Sequence, residues 1–135
     1  MTPQAALGLI LLATSASAQI VPTGTPAADI LLSQAIAEHR VFLTCSALDP
    51  ATHAQILANW QRDVTDAATI LATNAIPAEA IAAFQTAAEP GNLLPADDTP
   101  FADVKQLCAS NPDWQTRYDQ LNLTLLHLKL PQAFE

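Results

Sequence analysis

Three histidines are the side chains in this sequence that titrate closest to neutral pH. His39 lies at the centre of an apolar arc, three residues after Ile36 and four before Leu43, and His53 precedes Leu57 by four residues. We expect His39 to be a buried structural histidine whose ring bonds to a backbone carbonyl or a carboxylate. The alternative roles for His39 and His53 are ligand binding and pH sensing, because two helices joined by a tight turn would bring both rings towards one seam.

The sequence contains two cysteines, Cys45 and Cys108, and no third cysteine competes with them for pairing. In an oxidising compartment we expect one structural disulfide between them, with a stabilisation of up to about 4 kcal/mol in the chain-entropy model. The sequence holds no C-x-x-C motif, so a thioredoxin-like redox centre is not indicated. A zinc site built from His39, His53 and the two thiols would lack the close ligand pairs of zinc motifs, so no metal is expected.

Enzyme signatures are absent from the sequence, which has no nucleophile elbow, zinc-protease helix, P-loop or dinucleotide fingerprint. Asp63 and Asp66 are three residues apart, and we expect them to face solvent beside Arg62 rather than to act as an acid–base pair. The carboxylates around the longest predicted loop lack EF-hand spacing and are expected to be solvated; these are Glu89, Asp97, Asp98 and Asp103. We therefore expect no catalytic residue, no metal and no cofactor.

The amino-terminal residues have the pattern of a secretory leader. Residues 5–14 form an uncharged apolar run, and Ala16-Ser17-Ala18 follows in the small-x-small pattern of a signal peptidase site. We expect residues 1–18 to be a signal peptide cleaved before Gln19, and the mature protein to be periplasmic or secreted. The leader lacks Lys and Arg, which leaves an uncleaved anchor as the alternative, although its apolar run is shorter than the roughly 20 residues of a membrane span.

The rest of the chain, residues 19–135, is predicted to form a single helical domain. It contains 22 alanines and only two glycines, a composition that favours helix. Four N-cap residues are each followed by proline, which is tolerated at the first helical position: Thr25-Pro26, Asp49-Pro50, Thr99-Pro100 and Asn111-Pro112. We predict an all-α bundle of five helices, two long, two short and one amphipathic at the carboxyl end. Their ranges are 26–47, 50–74, 77–88, 100–109 and 112–129, with an extended lead-in at 19–25 and a long acidic loop at 89–99.

The last predicted helix is apolar on two nearly opposite sides. One side carries Trp114, Tyr118, Leu121, Leu125 and Leu128, and the other carries Leu123, Leu126 and Leu130. Such a helix is either central in its bundle or lends one side to a partner protein or to a second copy of the chain. Leu123, Leu126 and Leu130 are the candidate partner interface. A strand over residues 121–125, where apolar side chains alternate, is the third interpretation.

The charge balance limits the classes of partner. Thirteen acidic residues against five basic ones give a net charge of −8, which disfavours nucleic acid and anionic membranes. In size, predicted helices and cysteine number the chain is similar to acid-activated periplasmic chaperones and to helical periplasmic immunity proteins. We expect an exported, non-enzymatic binding or accessory protein, such as an inhibitor or an immunity-type or complex-associated factor. It would engage another exported protein through its acidic surface and the last helix.

Two other functions remain open from the sequence. The first is an acid-responsive periplasmic chaperone, because thirteen carboxylates and three histidines take up protons as the pH falls. The second is a carrier of a small hydrophobic ligand, held between helices beside the loop that contains Gly91.

Overall fold

A computed structural model describes residues 22–121 and 126–135, so the predicted signal peptide and Leu123 lie outside the described residues. Within those ranges the chain is helical and contains no strand, which confirms the all-α prediction. The elements are α1 (Pro26–Cys45), α2 (Pro50–Thr73), α3 (Ala78–Ala87), α4 (Pro90–Leu93), α5 (Phe101–Ala109), α6 (Trp114–Leu121), α7 (Leu126–Lys129) and a 3-10 helix (Pro131–Phe134). The fifth predicted helix corresponds to α6 and α7, between which residues 122–125 are not described.

The start of α2 is capped as predicted, whereas the start of α1 is not. The Asp49 carboxylate accepts the backbone N–H of Thr52 at 3.4 Å and its hydroxyl at 2.7 Å. Thr25 makes no side-chain cap bond at the start of α1. Instead, the carboxylate of Asp29, in the first turn, accepts the backbone N–H of Thr23 at 2.9 Å. Asp29 therefore orders the lead-in to α1 and also places a negative charge at its positive end.

Asn111 caps a different helix end from the one predicted. Its side-chain amide donates to the Leu107 carbonyl at 2.8 Å, near the end of α5, and α6 begins only at Trp114. The last carbonyls of a helix have no partner within that helix, so the amide satisfies one of them. The predicted first residue of the fourth helix, Pro100, instead precedes α5 as its N-cap.

Helix α1 is the central element of the bundle. It packs against α2, α4, α5, α6, α7 and the 3-10 helix, and residues 41–44 are buried in succession. Its buried side chains therefore cover most of its circumference rather than a single stripe: Ala28, Leu32, Ala35, Ile36, His39, Val41, Phe42, Leu43 and Thr44. The sequence pattern allowed the carboxyl-terminal helix a central place as one of its interpretations, whereas among the described residues α1 contacts the most other elements.

Two cross-links fasten other helices to α1. The predicted disulfide is present: Cys45 at the end of α1 is bonded to Cys108 on α5, with the two Cα atoms 5.6 Å apart. On α6, the Arg117 guanidinium donates to both carboxylate oxygens of Glu38 at 2.8 and 2.9 Å. This paired geometry fixes the orientation of both side chains more strongly than a single contact would.

The predicted long acidic loop at 89–99 is not irregular throughout, because it contains the short helix α4. Leu93 is 1% exposed and anchors this turn in the core. The Asn92 side chain donates to the Thr86 carbonyl at 2.7 Å, and Arg40 on α1 donates to the Asn92 carbonyl at 3.2 Å. Contacts with α1 and α3 thus order a segment whose own sequence lacks helical periodicity.

Candidate functional site

A groove of about 210 Å³ lies between α1, the 93–95 segment and α5. We call it the α1–α5 groove. Its apolar lining residues are Leu93, Leu94, Pro95, Val104 and Leu107, and its polar lining residues are Arg40, Thr44, Thr99 and Asp103. The groove is therefore a mainly apolar recess that carries one positive and one negative side chain. It borders the Gly91 segment, where the sequence suggested a ligand pocket.

The polar side chains of this groove are incompletely paired. Arg40 donates to the Asn92 carbonyl, but no ion pair joins Arg40 to Asp103. The Thr44 hydroxyl oxygen is buried and has no hydrogen-bond partner in the described part of the chain. Most buried polar groups in folded proteins are hydrogen-bonded, so this hydroxyl is an exception. In the sequence Asp103 was expected only as a solvated loop carboxylate, and Arg40 and Thr44 carried no signal, because nothing in their local spacing shows that α1 and α5 face one another.

The segment 97–103, which we call the acidic segment, forms one edge of this region. Asp97, Asp98 and Asp103 are exposed, as predicted for the loop carboxylates. Phe101 lies among them and is 66% exposed. By helical spacing Phe101 shares one face of α5 with Val104 and Cys108, which predicts an inward position. That prediction is wrong, because the first turn of α5 extends beyond the core and no side chain of α5 is fully buried.

The two candidate histidines have separate partners. His39 is 3% exposed, its Nδ1 atom lies 2.8 Å from the Ala35 carbonyl oxygen, and its ring stacks on Trp60 with centroids 4.0 Å apart. The prediction of a buried histidine bonded to a backbone carbonyl is confirmed. His53 is half-buried, and its Nδ1 atom lies 3.0 Å from the Ser46 hydroxyl. The structure therefore does not assemble the two rings into one site.

Burial controls the titration of His39. Desolvation lowers the pKa of His39 from 6.5 to about 4, against the opposing effects of the Ala35 hydrogen bond and the Glu38 carboxylate. Phe42 and Tyr118 complete the aromatic surroundings of the ring, with centroids 5.1 and 6.5 Å away. The Trp60 indole donates to the Ala88 carbonyl at 2.8 Å, so this cluster also ties α2 to the end of α3. At neutral pH the His39 ring is uncharged.

Asp63 does not face solvent fully, in contrast to the expectation for the Asp63–Asp66 pair. Asp66 is exposed, but Asp63 is half-buried. Burial raises the pKa of the Asp63 carboxyl to about 6, although the charges of Arg62 and His127 oppose that increase. The helical spacing of α2 alone could not show that α7, which carries His127, would pack against this side of it.

The candidate interface on the last helix is not a free surface. Leu126 is 4% exposed and Leu130 is 0% exposed, and both belong to the hydrophobic core. The prediction that these two side chains contact a partner is wrong, because they pack inside the bundle. Leu123 is outside the described residues. Leu128, which the sequence placed on the opposite side, is 51% exposed.

The described ranges contain neither a metal-binding cluster nor a membrane-spanning helix. Within residues 22–121 and 126–135, no cluster of three or more His, Cys, Asp or Glu side chains could hold a metal ion. None of the helices in those same ranges is both long and apolar enough to cross a membrane. Among the described residues, those that line the α1–α5 groove form a recess that could hold a small ligand. No family model, curated protein or solved structure matches this chain.

Proposed function

We propose that the protein is an exported, non-enzymatic binding protein that engages a basic partner protein through its acidic segment. The observation that carries this proposal is the position of Phe101, a large apolar side chain that is 66% exposed among three exposed carboxylates. Aromatic side chains contribute much of the energy of protein interfaces, and surrounding charges select the partner. Phe101 thus replaces the last helix as the apolar part of the proposed contact.

The charge distribution supports a basic partner. Among residues 22–121 and 126–135, both ion pairs involve Arg117, which binds Glu38 and Asp113. The carboxylates of the acidic segment have no such cationic partner within these ranges. A surface with a net charge of −8 accelerates encounter with a positively charged protein and disfavours an acidic one.

The disulfide supports export. Disulfides persist in extracellular and periplasmic compartments and are rare in the reducing cytosol. The Cys45–Cys108 bond therefore fits the periplasmic or secreted location that the leader sequence predicts.

Affinity capture from the periplasmic or culture fraction tests this function. The immobilised mature chain should retain a basic protein at about 50 mM salt and release it at about 500 mM, because salt screens charge attraction. Phe101→Ala and the double variant Asp97→Asn/Asp98→Asn should lose the partner. Leu48→Ala, at a side chain that is 89% exposed outside the acidic segment, and Asp66→Asn are the matched controls and should retain it. Equal capture by Phe101→Ala would contradict the proposal.

A second candidate function, an acid-responsive chaperone, is favoured by the buried His39. Protonation would place a charge between Trp60 of α2, Phe42 of α1 and Tyr118 of α6. Loss of this packing would expose apolar surface to an unfolded client protein. If the protein has this function, it suppresses the aggregation of a client protein near pH 3 but not at pH 7. Inactivity at both pH values would exclude the chaperone function.

A further inference from the structure

Helix α6 is attached to α1 through two consecutive residues of each helix. The Arg117 guanidinium donates to both carboxylate oxygens of Glu38 at 2.8 and 2.9 Å. Beside this pair, the rings of His39 and Tyr118 meet edge to face with their centroids 6.5 Å apart. Among the described elements, α1 is the one against which α6 packs most extensively. The attachment of α6 therefore depends on one carboxylate and one imidazole of α1, and both groups change charge in acid.

The packing around His39 requires the neutral ring. His39 is 3% exposed, its Nδ1 atom lies 2.8 Å from the Ala35 carbonyl oxygen, and its face stacks on Trp60. Phe42 and Tyr118 contact the same ring. A charged imidazolium is poorly solvated in such surroundings, and burial lowers the pKa of His39 to about 4. Acid therefore favours any arrangement in which this ring regains contact with water.

Of the two helices that contact the His39 ring from outside α1, α6 is the less firmly packed. It has eight residues, and Tyr118 is the one buried side chain described in it. Helix α2 has 24 residues and contributes four buried side chains: Ile56, Trp60, Ala67 and Leu71. Because burial of apolar surface supplies most of the energy of packing, α6 requires less free energy to detach than α2.

The charged groups next to His39 do not prevent its effect on α6. Glu38 favours the imidazolium, but burial has the larger influence on the ring. Protonation of Glu38 also removes the charge that Arg117 binds from α6. The guanidinium then keeps its bond to Asp113, which lies on its own side of the contact at 2.7 Å. Proton uptake by either residue of α1 therefore weakens the attachment of α6.

The charged groups around Tyr118 include one that opposes release. Asn59 of α2 donates to the Tyr118 hydroxyl at 2.9 Å, and the charge of Asp63 acts on the same hydroxyl. Burial raises the pKa of Asp63 to about 6, so its protonation stabilises the packed protein as the pH falls. Asp63 is only half-buried, whereas His39 is almost fully buried, so the effect of His39 is the larger. The other charged groups that act on this pair are Arg62, Asp66, Asp119 and His127.

We propose that α6 is an acid-released helix. Proton uptake by His39 and Glu38 detaches it from α1, while α1, α2 and α3 remain packed and the disulfide remains closed. Release uncovers an aromatic surface, because Phe42 lies 5.4 Å from Tyr118 and 6.4 Å from Trp114 between ring centroids. This conformational step can be measured without a partner or a client protein, so the inference does not depend on either proposed function.

Hydrogen exchange followed by mass spectrometry tests the release in the wild-type mature chain with its disulfide intact. After correction for the pH dependence of chemical exchange, the protection of residues 114–121 should fall at least about tenfold between pH 7 and pH 4. Residues 50–73 of α2 should keep their protection within about twofold. Unchanged protection of α6 would overturn the proposal, and so would an equal loss in α2, which would indicate unfolding of the whole bundle.

Variants test the two attachment points. Arg117→Gln removes the cationic partner of Glu38 and should lower the protection of α6 at pH 7 at least about threefold. Lys105→Gln removes the same charge from an exposed position on α5 and should leave the protection of α6 unchanged. Wild-type protection of α6 in Arg117→Gln would overturn the assignment of the Glu38–Arg117 pair.

The role of His39 is tested in the same way. In His39→Gln the protection of α6 should change less between pH 7 and pH 4 than in the wild type, because the amide does not titrate. A full wild-type loss of protection in this variant would overturn the assignment to His39. Magnetic resonance titration of the His39 ring in the wild type needs no substitution. Its midpoint should coincide with that of α6 release, and a ring that titrates at a different pH would overturn the assignment as well.

Discussion

At position 39 an imidazole ring occupies a place that apolar side chains usually fill in a helical core. The ring is accommodated because its Nδ1 atom bonds to the Ala35 carbonyl and its face stacks on Trp60. Its folded-state pKa of about 4 lies below the ordinary value of 6.5. The folded protein therefore binds fewer protons than the unfolded chain between these two pH values. The stability associated with neutral His39 is complete above pH 6.5 and is lost as the pH falls towards 4.

Substitution of His39 by Gln should remove this acid sensitivity. We expect the wild type to be more stable than His39→Gln at pH 7, and the difference in unfolding free energy to shrink by about 3 kcal/mol at pH 4. Urea unfolding of both proteins at several pH values measures this difference in unfolding free energy. His53→Gln, at a half-buried histidine outside the aromatic cluster, is the control. A pH-independent difference for His39→Gln would show that the ring is not neutral when buried.

Asp63 is expected to affect stability in the opposite direction from His39, because its charged form at neutral pH destabilises the folded protein. Burial raises the pKa of its carboxyl to about 6, so the folded state takes up a proton more readily than the unfolded chain as the pH falls from 6 towards 4. Asp63→Asn should therefore stabilise the protein at pH 7, by about 1 kcal/mol after allowance for solvent screening. This gain should disappear by pH 4. The same substitution at exposed Asp66 is the control, and an equal gain there would indicate a general charge effect.

At the scale of one element, the end of α2 has the hydrogen bonds of a Schellman motif around an unusual residue. Ile76 N–H donates to the Leu71 carbonyl and Ala75 N–H to the Ala72 carbonyl, both at 3.1 Å. Ala75 has φ of 60°, in the left-handed region where glycine is favoured. The contact of partly buried Ile76 with the core compensates for this strained backbone. The local sequence gave no glycine signal for this helix end.

Ala75→Gly should therefore stabilise the protein. We expect a gain of up to about 1 kcal/mol, because glycine adopts this conformation without the steric cost that alanine incurs. Thermal unfolding followed by circular dichroism measures the change. Ala72→Gly, at an exposed position inside the same helix, should have the opposite effect and destabilise by about 1 kcal/mol. Loss of stability in Ala75→Gly would contradict the assignment of strain to this residue.

At the scale of the whole molecule, the disulfide joins parts of the chain that are 63 residues apart. It connects α5, which contributes no fully buried side chain, to the central helix α1. Helix α5 therefore depends on this covalent link more than α2 or α3, which contribute buried residues to the core. The α1–α5 groove depends on it as well, since Thr44 and Leu107 are the chain neighbours of the two cysteines.

The double variant Cys45→Ala/Cys108→Ala should lose up to about 4 kcal/mol of stability, because the unfolded chain regains the freedom that the closed loop removes. Hydrogen exchange should show the largest loss of protection in α5. Wild-type protein treated with a reductant is the control and should behave like the variant. An unchanged unfolding midpoint in urea would show that packing alone holds α5 against α1.

Several features of this fold follow from short-range physical chemistry and could be predicted from the sequence. Proline after an N-cap residue marks the starts of α1 and α2, and the helical spacing around His39 predicts its burial. The chain has only two cysteines, so their pairing can be predicted without knowledge of the fold. Each of these depends on residues a few positions apart or on composition, so the linear pattern is sufficient to predict it.

The candidate site depends on contacts between distant segments. The sequence by itself determined the helical class, the two long helices and the disulfide. Only the tertiary structure decided that α1 is central, that Leu126 and Leu130 are buried, and that Phe101 is exposed. An amphipathic pattern shows that a face will be covered but not which element covers it. Arg40 and Asp103, 63 positions apart, line one groove only because α1 and α5 pack side by side.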